Sequence, residues 1–600
     1  MHREDVTEVV NACDAGREGE LIFRSVFYLV ECKKPMKRLW ISSMEDTAIK
    51  EGFDNLKDGC EYDGLYQSAL CRAEADWLVG INATRLFSIL YGTKLNIGRV
   101  ISPTLALVVQ RESDITSFTP ESFYTVKLNV GFEAESEKEK NRAIAEAVAA
   151  ACSGKNAYVR SIERTEKQEK PPALYDLTTL QRDANRVLGY TAKQTLDYLQ
   201  QLYEKKLCTY PRTDSRYLPD DMAMNVLKLS EIAAELYQVN TPESVDVQRV
   251  CNSSKVTDHH AIVPTASATK EAFDRLPMGE RGVMKMISQG LLKSTAKPYR
   301  YAETILTIEC AGHIFKAKGK NVLDLGWKAY EAGNKDKSQQ LPPVTEGQLL
   351  HPSKAEVKEG KTKPPKHYTE DTLLSSMETA GAKDMPEDTE RKGLGTPATR
   401  ASVLEKLISA GFAERKKQQK HTYLVPTAMG TALIAVLPEQ LESPMLTAEW
   451  EHGLARIQKY ELDPVQFMKG IEFMVKDLVD TYTPVDGAEK MFPRNESSDG
   501  RKASRTAVGK CPRCGHPVIS SAKGFFCDNR ECRFVLWRDN RFFTNKQKSI
   551  TEEIASDLLE EGRSLLRGCY SLKTDSYYDA IVVMEDDGEH TLFRMDFTNG

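Results

Sequence analysis

A tyrosine and an arginine stand two residues apart in Thr209-Tyr210-Pro211-Arg212-Thr213-Asp214-Ser215-Arg216. Proline disfavours the helical region for the residue before it, so Pro211 pushes Tyr210 into extended backbone. In an extended segment residues i and i+2 point the same way. Tyr210 and Arg212 are therefore expected to share a face, a phenol nucleophile beside a permanent cation suited to a phosphate oxygen. Transfer of a phosphodiester through a phosphotyrosine bond requires that pairing. The alternative is a tyrosine that is simply packed or stacked.

Carboxylates gather near the start of the chain. Val9 to Cys13 reads as a strand ending at Asp14, a helix starts near Arg17 and runs to Leu29, and Lys37 to Ile41 reads as the next strand. This β-α-β order predicts a parallel sheet, whose sites form at the carboxyl ends of the strands, where Asp14 sits. Glu18 and Glu20 fall in the first helical turn, where the helix dipole favours negative charge. Asp14 and Glu18 offer oxygen ligands for magnesium; the alternative is that these acids only cap the helix. No Gly-Lys-Ser/Thr follows a glycine-rich turn, which excludes a Walker-type phosphate loop.

Four of the thirteen cysteines form two close pairs, Cys511/Cys514 and Cys527/Cys532. That spacing predicts a zinc ribbon in which four thiolates leave the ion no open position, so the metal is structural. Phe525, Phe526, Phe534 and Trp537, among Arg530, Arg533 and Arg538, either stack on single-stranded bases or form the small domain's core. The other nine cysteines read as reduced thiols of a cytoplasmic protein.

Six hundred residues suggest roughly three to five domains. The net charge is −5, so affinity for nucleic acid has to come from local basic surfaces. No apolar run reaches membrane-span length and the first residues have no signal-peptide character. Tyr62 to Ser117 reads as helical and ends in Asn96-Ile97-Gly98-Arg99-Val100-Ile101-Ser102-Pro103-Thr104. Gly98 allows close backbone approach to a ligand and Arg99 supplies a cation; Arg72 and Arg85 read equally as surface ion pairs. From Phe123 to Arg164 the pattern turns to alternating strands, interrupted by a solvated loop over Glu135 to Arg142.

A helix over Leu177 to Leu188, a stop at Gly189 and a capping box Thr191/Gln194 precede the tyrosine segment. Helix, helix, strand is the order of a winged-helix module. His259 and His260 follow, with a hydrogen-bonded structural histidine as the default reading. Strand alternation resumes from Tyr299, and Lys354 to Lys366 reads as a charged linker. Gly393-Leu394-Gly395-Thr396-Pro397-Ala398-Thr399-Arg400 places free N–H groups at a helix N-terminus, an anion site or a plain cap. Phe412 to Pro426 reads as a β-ribbon.

Taken in order, Asp14 to Glu20, Asn96 to Thr104, Thr209 to Arg216, His259 to Thr265, Gly393 to Arg400 and Leu446-Thr447-Ala448-Glu449-Trp450-Glu451 resemble the type IA DNA topoisomerases, topoisomerase III branch. The resemblance implies a multidomain α/β, α and β fold: a Rossmann-like Toprim domain, a toroidal core with winged-helix-like modules and, here, a C-terminal zinc ribbon. Expected boundaries are 1–60 for a partial Toprim domain and 61–117 with 366–485 for a helical DNA-binding domain. An arched β hinge domain takes 118–172 with 285–365, and a winged-helix-like domain with the tyrosine takes 173–284. A linker over 486–510, a zinc ribbon over 511–545 and a small α+β appendage over 546–600 complete the chain.

The same resemblance makes Tyr210 the nucleophile of an ATP-independent isomerase that cuts one strand, forms a 5′-phosphotyrosine bond, passes a strand and religates. It implies Arg212 as electrostatic partner, His259 as support for cleavage, and Asp14 and Glu18 as magnesium ligands, Glu18 serving catalysis. Arg72, Arg99, Thr396 and Arg400 are expected on the DNA strand. The expected partner is single-stranded DNA or DNA with single-stranded regions, bound by a monomer. Two departures stand out. Gly16 replaces the second aspartate of the family's Asp-x-Asp-x-Glu, and the family's preceding strand, with its glutamate and lysine, is missing, so an N-terminally truncated chain is expected. A non-catalytic single-stranded-DNA-binding remnant and another tyrosine-based strand transferase are the competing readings.

Overall fold

In the computed structural model Val9–Asn11 pairs in parallel with Met36–Arg38, and the helix Arg17–Leu29 makes the crossover between them. Residues 1–41, 46–256, 258–331, 340–351, 354–381, 393–492, 507–521, 523–529, 531–546, 548–571, 576–588 and 590–596 are described. Two compact units divide the chain, Met1–Arg494 and Asn495–Gly600.

Within the first unit, distant stretches of sequence close shared cores. The helix Asp63–Leu90 contributes Val79, Ala83 and Phe87 to one core, which Leu433 and Trp450 complete from far downstream. Apolar faces of this kind supply most of the stability of long helices, because propensity alone is weak. Ser122–Asn129, Ala157–Glu169, Tyr299–Cys310 and His313–Asp324 belong to one seven-stranded sheet. Both halves of the expected β region therefore meet.

Three expectations need correction here. The region read as alternating strands contains a helix, Arg142–Cys152. Its alanine-rich run has high helix propensity, and Asn141 Oδ1 caps it by accepting from Ala143 N at 2.9 Å. Lys354–Lys361 is not a linker but an edge strand, paired antiparallel with Ser122–Asn129 from Lys354↔Asn129 to Lys361↔Ser122. Its Ala355 and Val357 pack on the sheet core while lysines and glutamates face outward, the composition that protects an exposed edge. Finally, the helix Met278–Thr295 runs straight through the expected boundary at 284/285. Its Val283, Met284 and Ile287 pack with Leu180 and Leu199, so it belongs to the helical block.

That block is capped as its sequence suggests. Asp176 Oδ1 accepts from Thr179 N at 2.6 Å to start Leu177–Leu188, and Gly189 ends it at φ 72°. Thr191 and Gln194 then exchange reciprocal bonds of 3.1 and 3.0 Å. No regular strand follows: the tyrosine segment is extended chain tied by isolated bridges such as Cys208↔Pro264.

Gly393 has φ +60°, and an added β-carbon would lie 2.1 Å from Met377 O and 2.5 Å from Glu378 O. Both obstacles are backbone, so neither can swing away. Gly393→Ala is expected to cost about 2–4 kcal/mol from left-handed strain plus overpacking. A denaturation midpoint equal to wild type would contradict that close approach.

In the second unit, Ala507–Lys510, Pro517–Ser520, Gly524–Cys527 and Val535–Trp537 form a four-stranded sheet. Three more strands and the helix Glu552–Glu560 follow. Val518, Phe525, Phe534, Leu558, Leu566 and Val582 share one core, so the expected ribbon and appendage fold together. Most of the expected linker, 493–506, lies outside the described residues, as does Arg530. Among the described residues no helix is long and apolar enough to cross a membrane.

Candidate active site

Burial alternates along the tyrosine segment: Pro211, Thr213 and Ser215 are buried, whereas Tyr210, Arg212, Asp214 and Arg216 are partly or fully exposed. The period-two reading of the sequence therefore holds without a regular strand. The odd-numbered residues anchor the segment. Thr213 Oγ1 donates to His259 O at 2.9 Å, and Leu177 N donates to Thr213 O at 3.0 Å. Thr209 Oγ1 donates to Ala261 O and accepts from Val263 N, both at 3.0 Å. The buried run Ala261-Ile262-Val263-Pro264 is thus strapped beside the tyrosine, which brings two separate motifs into one place.

The two adjacent histidines separate by environment. His260 Nδ1 lies 2.9 Å from Ala261 O, and burial pushes its pKa down, as for a structural histidine. His259 faces the tyrosine, ring centroids 4.1 Å apart and tilted by 36°. Its Nε2 is 3.3 Å from Asp14 Oδ2, too poorly aligned to count as a hydrogen bond and otherwise without a partner among the described residues. Its proximity is enough to hold the Asp14 carboxyl below the usual range, with Arg38 adding to the effect. Tyr210 is pushed the other way: burial raises its pKa first, the Asp14 charge adds to that, and Arg212 opposes both. Tyr203 meets Tyr210 edge-on at 5.4 Å. A cavity of about 630 Å³ opens here, lined by Asp14, Tyr203, Lys206, Tyr210, Lys228 and His259.

Arg38 presents Asp14. Fully buried, it donates to Asn11 O, Cys13 O and Asp14 O at 3.0, 2.8 and 2.6 Å, gathering the end of the first strand. The neighbouring acids divide their roles. Glu20 is buried against Arg24 at 2.7 Å and Arg38 at 3.0 Å, and accepts from Asn11 at 2.8 Å. Such a carboxylate is structural. Asp14 and Glu18 remain exposed, and the Glu18 charge also reaches Tyr210. Gly19 permits this geometry, since a β-carbon there would come within 2.2 Å of Asp14 O.

Arg99 and Arg400, expected on DNA, are buried instead. Arg99 binds Asp76 at 2.8 Å and faces Glu451 at 3.5 Å. Arg400 donates to Thr178 Oγ1 at 2.9 Å and Leu394 O at 3.2 Å. Both guanidinium groups are engaged by these partners. Arg72, more exposed, lies 3.7 Å from the same Glu451. Arg17, beside the acids, also binds Glu451, at 2.9 Å. The Thr396 N–H is taken by Thr399 Oγ1 at 2.9 Å at the head of Pro397–Ser409, and Pro397 has no N–H, so fewer donors are left free there than at most helix heads. Arg38 and Glu451 escaped the sequence reading because nothing local marks a buried ion-pair hub.

In the second unit Cys511, Cys514, Cys527 and Cys532 place their sulfurs within 4.8 Å of one another, with pairs at 3.6 and 3.4 Å. A tetrahedral four-thiolate zinc with bonds of about 2.3 Å separates its sulfurs by about 3.8 Å. The donor set fits such an ion. Phe525 and Phe534 are core residues, and Trp537, edge-on to Phe526 at 5.4 Å, is the exposed aromatic.

Residues 61–469 match the family model described as DNA topoisomerase. DNA topoisomerase 3 of Bacillus subtilis is 37% identical over 565 residues, which cover 89% of this chain and 75% of that protein. DNA topoisomerase 3 of Bacillus licheniformis is 38% identical, covering 88% and 75%. The chain belongs to the type IA DNA topoisomerases, in the topoisomerase III branch. Full-length topoisomerase I from Thermotoga maritima shares the fold, with a TM-score of 0.62 at 24% identity over 86% of this chain and 83% of that one. This family member is an isomerase by class, and the cluster of Tyr210, His259, Asp14 and Arg212 is its candidate active site.

Proposed function

We propose that Tyr210 cuts and reseals one DNA strand. Its hydroxyl oxygen attacks a phosphorus, the bond from phosphorus to the 3′ oxygen breaks, and the leaving 3′-hydroxyl takes up a proton. A 5′-phosphotyrosine bond then holds the energy of the diester, and religation reverses the step without ATP. Contact of the Tyr210 ring with His259, itself against Asp14, is the observation that carries this reading. Arg212, exposed on the tyrosine's face, is the cation for the non-bridging phosphate oxygens. Burial and Asp14 keep the resting phenol protonated, so the approach of the phosphate and the Arg212 charge must promote loss of its proton.

Asp14 and Glu18 are our proposed magnesium ligands, and their chemistry fits: two exposed oxygen donors, as magnesium keeps several waters and takes one or two carboxylates. When bound, the ion supplies positive charge that offsets the carboxylates and aligns the ends for religation. Arg72, Arg99, Thr396 and Arg400 are our proposed contacts to the single strand, Arg72 and Thr396 being the more accessible. We assign 1–60 to a Toprim-like domain, as its β-α-β order supports, and the helical block that carries the tyrosine to a domain running to Thr295.

The test is covalent capture. The full chain is mixed with magnesium and a single-stranded oligonucleotide labelled at one end, then denatured. Label at the 3′ end is expected to stay with the protein and label at the 5′ end to leave. Retention of the 5′ label, or of neither, contradicts the reading.

Zinc is our assignment for the four thiolates. Removing it with a chelator under denaturing stress, or changing Cys514 and Cys527 to serine, is expected to abolish cooperative melting of residues 507–596, because binding energy is folding energy in such sites. Metal analysis showing no zinc in the folded wild type would refute the assignment.

A further inference from the structure

The β-ribbon formed by Ala413–Gln418 and His421–Pro426 follows the helix Pro397–Ser409 and turns through two residues, Gln419-Lys420, with Gln419 in left-handed backbone at φ 53°. So tight a turn fixes the register of the two strands. The base of the ribbon is anchored. Phe412, Ala413, Leu424 and Val425 are buried, and Leu424 N donates to Tyr368 O at 2.7 Å. Arg415 is neutralised there, donating to Glu370 Oε1 at 2.8 Å and pairing with Glu405. The far half differs. Lys416, Lys417, Lys420 and His421 are exposed, and among the described residues none of the three lysines has a carboxylate partner.

Lysines also protect bare strand edges, and Lys354–Lys361 uses them so in the same molecule. There Lys354, Lys358 and Lys361 are interspersed with Glu356 and Glu359, which leaves that edge nearly neutral. No acid interrupts the cations of the ribbon's far half; its one glutamate, Glu414, stands at the base. A chain of net charge −5 thus concentrates positive charge on a rigid projection. We propose that this ribbon is a second DNA-binding surface, one that takes the phosphates of a duplex lying beside the single-stranded stretch. A two-stranded ribbon fits the major groove, and lysine meets phosphate as a point charge without reading sequence. Residues 416–422 include no phenylalanine, tyrosine or tryptophan on which unpaired bases could stack, which favours a duplex over a single strand. The helix Pro397–Ser409, about 20 Å long at 1.5 Å per residue, separates Thr396 from the ribbon, so the duplex lies next to the strand contacts and not on them. The inference needs a DNA partner but not the cleavage step.

The test is the salt dependence of binding. The full chain is titrated into a fluorescently labelled, blunt-ended duplex of mixed sequence at several salt concentrations, and log Kobs is plotted against log salt. Each duplex phosphate contact contributes about −0.9 to that slope. Lys416→Gln/Lys417→Gln/Lys420→Gln removes the charges and keeps the stems. It is expected to make the slope shallower by about 2–3 and to weaken duplex binding at least about tenfold at low salt. A single strand of the same length is expected to lose less. Arginine at the same three positions keeps the charge and should keep the wild-type slope, and thermal melts verify that each variant folds. As a control, Lys354→Gln/Lys358→Gln/Lys361→Gln removes the same charge from the balanced edge and should leave the slope within about one of wild type. A wild-type slope in the ribbon variant overturns the proposal. So does an equal change in the edge-strand variant, which would make the effect one of bulk charge. An equal or larger loss on the single strand overturns it too, by making the ribbon part of the strand path. Failure of covalent capture, with the duplex slope changed as expected, would sink the cleavage reading and leave this inference standing.

Discussion

Tyr210→Phe is expected to abolish covalent capture of a cleaved strand, by at least about 10⁴-fold, the scale on which loss of a covalent nucleophile is felt. The substitution removes one oxygen and keeps the ring. Its edge-on contact with Tyr203 and its tilted contact with His259 involve that ring, so the surrounding fold should persist. Removing the phenol also relieves the half-buried hydroxyl that burial and Asp14 disfavour in its ionised form. Denaturation midpoints of variant and wild type should therefore agree, while labelled adduct disappears. Binding of uncleaved single strands should remain, because Arg212 is untouched. Equal adduct from the phenylalanine variant would remove the basis of the mechanism.

Glu451→Gln is expected to destabilise the first unit by about 3–5 kcal/mol, the usual result of leaving buried charges without their counter-ion. Glu451 is 8% exposed, with Arg17 at 2.9 Å, Arg99 at 3.5 Å and Arg72 at 3.7 Å. Burial alone would raise its pKa; Arg72, Arg17 and Arg99 outweigh that and hold it at about 2, against 4.5 ordinarily. A depressed carboxylate stabilises the fold above its unfolded pKa and loses that contribution as pH falls through the folded value. The gap between wild type and variant should thus be full above about pH 4.5 and shrink toward pH 2. Urea denaturation at several pH values reads it, and a gap that widens on acidification would contradict the ion-pair account. Arg17 extends the consequence to the site, because it lies one residue from Glu18 and ties the first helix to Met445–Gln458.

Much of this arrangement was legible in the residues themselves. Alternation around Tyr210 needed only Pro211 and a period of two, and the capping box at Thr191/Gln194 is local chemistry. The four cysteines carried their own spacing. What escaped depends on contacts between distant parts of the chain. Lys354–Lys361 looks like a linker because an edge strand needs few apolar residues once Ser122–Asn129 supplies the hydrogen bonds. Arg99 and Arg400 read as strand contacts because partners such as Glu451 and Thr178 lie hundreds of residues away in sequence. Which of two histidines faces the tyrosine is likewise a matter of how the strap lies, and that follows from Thr209 and Thr213 bonding to its backbone.

The most direct measurement is the mass of the peptide that carries the trapped strand. The protein is denatured in mid-reaction with a single-stranded oligonucleotide, the nucleic acid is digested to a nucleotide stub, and the chain is cut with trypsin. Lys206 and Arg212 bound the tryptic peptide Leu207-Cys208-Thr209-Tyr210-Pro211-Arg212. A 5′-nucleotide mass on its tyrosine is the predicted result. The same mass on any of the other tyrosines, with this peptide unmodified, would contradict the account.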